Sequence, residues 1–129
     1  MSVVVGSETL QTLRASAALT LGYVASNSLD KGKVGTIELA FDFTKGSSSG
    51  FTFYVEESDD QTTWYEQSVY HDQPSQRADL AEVTITTTSK RLWRCNSFRR
   101  FVRVKAKGLV DITDTLLTIS SALVRTVPS

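Results

Sequence analysis

Residues 55–67, VEESDDQTTWYEQ, hold the densest set of side chains that could carry chemistry. Glu56, Glu57, Asp59, Asp60 and Glu66 bring carboxylates together beside the pair Trp64–Tyr65. Ca²⁺ takes carboxylate oxygens as ligands. Yet this stretch lacks the D-x-D-x-D-G order of a calcium loop, and the glycine that allows its sharp bend. Paired-carboxylate hydrolysis needs two carboxyls at a fixed separation in a cleft, whereas a hairpin tip is convex and solvated. SDDQ therefore reads as a turn, because Asp side chains bond the nearby backbone and tolerate left-handed geometry.

The rest of the chain adds little chemistry. It has one histidine, His71, and one cysteine, Cys95. Zinc sites and nucleophilic triads need more such groups than that. Cys95, in LWRCNS, reads as a buried small hydrophobe. The phosphate-loop, dinucleotide, nucleophile-elbow and zincin motifs are all missing. The expectation is a non-enzyme with no cofactor and no metal. Trp64, Trp93, Phe41 and Phe53 read as core anchors. The rival use of the two tryptophans is a stacking platform for sugar or base, lined by Tyr54, Tyr65 and Tyr70.

Charge is the more informative pattern. Lys+Arg and Asp+Glu balance at 14 each, which gives no global reason to expect nucleic acid or an anionic membrane as partner. The charges are nonetheless segregated. Residues 56–82 carry Glu56, Glu57, Asp59, Asp60, Glu66, Asp72, Asp79 and Glu82 against Arg77 alone. Residues 83–110 carry Lys90, Arg91, Arg94, Arg99, Arg100, Arg103, Lys105 and Lys107 with no acid. Three readings stand: cross-strand pairing within the sheet, complementary patches between copies or toward a partner, and nucleic-acid binding by the basic strands. The candidate interface is Arg91, Arg94, Arg99, Arg100, Arg103 and Lys105 with Glu56, Asp59 and Asp60. Nucleic acid is the weakest of the three, because the acidic block would repel phosphate.

The elements that would position these residues alternate with period two. TIELAFDF puts Ile37, Leu39, Phe41 and Phe43 on one face. KGSSSG is a turn, FTFYVEE points Phe51, Phe53 and Val55 inward, and TTWYEQSVY is the returning strand. HDQPSQRAD is a loop, and β-branched EVTITTTS is a strand. RLWRCNS and RRFVRVKAKG flank a tight NS, with Val102, Val104 and Ala106 opposite Arg103, Lys105 and Lys107. GLVDITD is a loop, and TLLTISSALV closes the fold with Leu117, Ile119 and Leu123 on one face. Residues 8–24 allow an amphipathic helix or an extended edge with Leu19 and Leu21 inward.

Seven or eight short strands at regular spacing read as one all-β antiparallel β-sandwich, jelly-roll or immunoglobulin-like. Its 129 residues suit a single core. The predicted division is an arm at 1–14, a sandwich at 15–125 and a tail at 126–129, with mobile termini at 1–7 and 126–129. The start of the chain lacks the basic residues of a secretory signal. The uncharged run at 15–29 is too short and polar to span a bilayer. The expectation is a soluble protein made in a cytoplasm, with no membrane partner.

At residues 55–67 the chain resembles small β-sandwich virion proteins of tailed bacteriophages, which carry an E-x-S-x-D-G-x-T-W-Y hairpin. Glu56 or Glu57, Ser58, Asp60, Thr63, Trp64 and Tyr65 match it, and Gln61 stands where the glycine is usual. Residues 18–26 resemble the first strand of that pattern, 41–56 its second hairpin, and RRFVRVKAKG with DTLLTISSALV its closing strands. The resemblance spans roughly 15–125 and favours a strand in 8–24. It implies a structural protein without an active site, placed in the virion. That protein would be a homotrimeric decoration (cement) protein on the major capsid lattice, or a tail, neck or fibre-attachment component.

Overall fold

The computed structural model describes residues 3–7, 11–32, 35–69, 79–80 and 82–128, with the backbone alone described at 3–7, 68–69, 79–80, 95 and 123–128. Among these residues the regular elements are strands only. They are β1 (Val3–Ser7), β2 (Gln11–Ala17), β3 (Val24–Ala25), β4 (Leu29–Asp30), β5 (Thr36–Thr44), β6 (Gly50–Ser58) and β7 (Tyr65–Glu66). There follow β8 (Ser68–Val69), β9 (Asp79–Leu80), β10 (Val83–Ile85), β11 (Ser89–Asn96), β12 (Phe101–Leu109) and β13 (Leu116–Pro128). No helix here is long and apolar enough to cross a membrane.

Two antiparallel sheets pack face to face. The first runs β1-β13-β5-β11, with β2 also paired to β13. The second runs β10-β6-β12-β3, with β4 on β12 and β7 on β6. The pairing folds the chain back on itself. The first strands lie beside the last, β3 and β4 beside β12, β5 beside β11, and β6 beside β7 and β10. This wrapped hairpin is the order of a jelly roll. In an immunoglobulin-like order the first strand would lie beside the second.

Alternation explains which side of each strand is buried. Ile37, Leu39, Phe41 and Phe43 of β5 are buried, as are Val102, Val104 and Ala106 of β12 and Leu117 and Ile119 of β13. Between the sheets the phenylalanines interlock, with ring centroids 4.4 Å apart for Phe41–Phe53 and 4.5 Å for Phe43–Phe51. Strand β6 departs from one-sided burial. Thr52, Tyr54 and Glu56 on its outer face are buried too, because side chains from neighbouring strands and loops lie over them. The turn from β5 to β6 needs two glycines. Gly46 sits at φ 55° and Gly50 at φ 133°, and a Cβ on Gly50 would stand 2.2 Å from the Ile85 carbonyl oxygen.

Several expectations are corrected. The boundary at residue 15 falls inside β2, whose Leu13 is in the core. Residues 3–7 and 124–128, expected at least in part as free arms, pair with each other. Residues 11–17 are extended, but only Leu19 of the Leu19–Leu21 pair points inward, and Leu21 is exposed. EVTITTTS yields only the three-residue β10 before the chain bends toward β11. The strand expected after the acidic turn is broken into the two-residue strands β7 and β8. Irregular pairing of β13 with β2 leaves carbonyls that the Arg14 guanidinium satisfies, donating to Leu117 O at 2.6 Å and Ala18 O at 2.9 Å.

Candidate interaction surfaces

The acidic stretch is a turn built by its own side chains. The Asp60 carboxylate accepts from the backbone N–H of Thr62 at 2.8 Å and Thr63 at 2.9 Å, and from the Ser58 hydroxyl. The Ser58 hydroxyl oxygen accepts in turn from Gln61 N–H at 2.9 Å. These donors, the Thr63 N–H foremost, hold the Asp60 carboxyl below its usual range. Gln61 takes φ 61°, a left-handed geometry that a residue with a Cβ adopts at some steric cost.

On the outer face of the second sheet the two charged blocks meet. Arg103 lies directly across the ladder from Glu56 and donates to its Oε1 at 2.8 Å. The side chains are 24% and 7% exposed. The same guanidinium lies 4.1 Å from the centroid of the Trp64 ring. Arg99 bonds Asp59 and covers Tyr65 at 4.3 Å. Lys107 covers Tyr23 at 4.7 Å, and the Tyr23 hydroxyl donates to Glu82 at 2.7 Å. Tyr23 meets buried Tyr54 edge to face. Burial, then Glu82, pushes the Tyr23 phenol well above its ordinary value. Burial, followed by Glu56 and Glu66, does the same for Tyr54. Lys105 lies opposite Tyr54 and has no carboxylate partner among the described residues.

Acids outside the acidic block complete the pattern. Arg100 forks onto Asp30 at 3.0 and 2.8 Å, which lowers the Asp30 carboxyl. Arg94 bonds Glu38 at 2.9 Å. The structure thus pairs Arg94, Arg99, Arg100 and Arg103 with intrachain carboxylates, the first of the three readings of the charge pattern.

Sequence reasoning missed the clasp at the end of the sandwich. Glu57, in the inward row of β6, accepts from the Ser97 hydroxyl at 2.6 Å and the Gln67 amide at 3.1 Å. Ser97 N–H donates to Gly35 O at 2.8 Å. The turn so pinned holds Phe98 in solvent, 99% exposed. An apolar residue at a turn tip, flanked by Ser97 and Arg99, was the available signal.

On the first sheet, Trp93 is a correction. Expected in the core, it sits on edge strand β11 and is 38% exposed, touching Phe53 edge to face at 5.8 Å. Trp64 is only half-buried. Phe41 and Phe53 are in the core. The two tryptophans lie on separate surfaces, so they do not form the platform considered for sugar or base. Beside Trp93 a cleft of about 380 Å³ opens between β11 and β10, with Phe41, Phe53, Val83 and Ile85 in its walls. Arg91 stands at this cleft and bonds only Ser89 Oγ, at 3.0 Å, among the described residues. His71, Tyr70 and the Cys95 side chain lie outside what the structure describes. Among the described residues, no group of three His, Cys, Asp or Glu side chains is placed to hold a metal ion. No protein-family model, curated protein or solved structure matches this chain.

Proposed function

We propose that this chain is a non-enzymatic structural protein of a tailed-phage virion, a decoration protein that binds the major capsid lattice as a homotrimer. One contrast carries the reading. Apart from Lys105, the charged side chains described on the second sheet are engaged by neighbouring side chains, while apolar side chains face solvent at Phe98, Leu92, Val110, Leu116 and Leu21. A surface that has settled its own charges and leaves separate apolar side chains exposed suits repeated protein contact. Many copies on a lattice turn modest contacts into durable ones. The resemblance of the 55–67 hairpin to those of phage virion proteins supports the same reading. A fold alone assigns no role, so the placement in the capsid rests on that resemblance.

Light scattering of the purified protein across dilution and salt tests the assembly. A stable trimer supports a decoration protein at capsid three-fold positions. A hexamer or larger ring moves the placement to the tail or neck. A strict monomer contradicts the homotrimer.

A further inference from the structure

We propose that β11 is an acceptor edge, which binds an extended acidic strand from another protein by strand addition. This inference does not depend on the virion assignment. Strand β11 pairs with β5 over eight consecutive residues without a register shift. It contains no proline. Among the described residues nothing pairs with its other edge. An edge of that length presents free backbone donors and acceptors, which proteins usually cover or break up.

Two features select the occupant. The first is the cleft. Arg91 and Trp93 belong to the inward row of β11, across the ladder from Phe41 and Leu39. A strand added outside β11 would therefore aim alternate side chains at the open mouth between β11 and β10. Phe53, Val83, Ile85 and Trp93 there favour apolar groups. The second is charge. Lys90, Arg91 and Arg94 lie on this edge with no acid on the strand itself. In the outer row, which the acids of an added strand would meet, Glu38 holds Arg94, whereas Lys90 stands across from Asp42 without an ion pair among the described residues. A second copy of β11 is a poor occupant. If Leu92 met Leu92, Lys90 would face Arg94. If Leu92 met Trp93, Arg91 would face Arg94. Like charges placed directly opposite destabilise a pair. The fitting partner alternates apolar residues, toward the cleft, with Asp or Glu. Backbone bonds then supply affinity, and the alternating rows supply specificity.

The test uses two soluble ten-residue peptides, one alternating Val and Glu and the other Val and Lys, added to the full chain carrying W64F so that Trp93 alone reports. The proposal expects the acidic peptide to blue-shift Trp93 emission. It also expects slower amide exchange confined to 89–96, and at least tenfold weaker binding of the basic peptide. The variant K90E/R91E should reverse the preference while keeping the parent's circular dichroism. If that variant fails to fold, K90Q/R91Q should bind the acidic peptide more weakly than the parent and with less dependence on salt. Equal binding of both peptides, no binding of either, or protection outside β11 would overturn the proposal.

Discussion

Replacing Arg103 with Met isolates an ion pair, Arg103–Glu56, most of whose side-chain surface is buried. Arg103→Met keeps most of the aliphatic stem but removes the guanidinium, leaving the Glu56 carboxylate 7% exposed without its partner. A hydrogen bond to a charged group contributes about 1.5–3 kcal/mol, and a partly desolvated cation–π contact adds about 0.5–1 kcal/mol. The partial exposure of Arg103, 24%, keeps the total below the ~3–5 kcal/mol lost when one member of a fully buried pair is removed. The expected loss is therefore about 3 kcal/mol, measured as a lower urea midpoint at unchanged slope. Trp64 emission should shift to the red as its covering cation leaves. Adding Glu56→Gln to Arg103→Met should recover a large part of the loss, because the stranded charge is gone. A loss under about 1 kcal/mol, or single losses that simply add in the double variant, would refute the reasoning that this pair is a coupled, desolvated unit.

Three further outcomes follow from the same geometry. Phe53→Ala should cost about 3–5 kcal/mol in urea unfolding, because its ring is 1% exposed; Phe98→Ala should change monomer stability by less than about 0.5 kcal/mol, and equal losses would contradict the assigned burial. Gly50→Ala should cost roughly 2–4 kcal/mol, since φ 133° and the Ile85 carbonyl both reject a Cβ; an unchanged melting temperature would contradict the turn geometry. The carboxyls of Asp30, Asp60 and Asp111 are lowered in the fold, so their contribution is present above about pH 4 and is lost as pH falls through the folded values. Tyr23 and Tyr54 are raised, so their contribution is present below about pH 10 and is lost as pH rises. The melting temperature should form a plateau between those limits, and a value that holds steady from pH 5 to pH 3 would count against the turn and Asp30–Arg100 contacts.

Strand identity was legible wherever one face is buried and the other is not. Ile37 to Phe43 and Val102 to Ala106 alternate without interruption, and their faces are as expected. The same logic fails for β6, because Tyr54 and Glu56 are covered by Tyr23, Trp64 and Arg103 from other parts of the chain. Trp93 occupies an inward row, but its strand is the last in the sheet, and no local pattern records strand order. The jelly-roll order itself is set by pairings such as β2 with β13, which join the two ends of the chain. The segregated charges meet in part on the outer face of the second sheet, where Arg103 pairs with Glu56. The segregation did not name the partners, since Arg100 and Arg94 draw on Asp30 and Glu38, far from the acidic block in sequence. The Asp60 turn was readable because its bonds run only two or three residues along the chain.

The proposed virion placement is tested most directly by density-purifying phage particles from a lysate that contains this chain and analysing them by mass spectrometry. The account predicts peptides of this protein in stoichiometric proportion to the major capsid protein. Particles free of the chain, with all of it left in the soluble lysate, would contradict it.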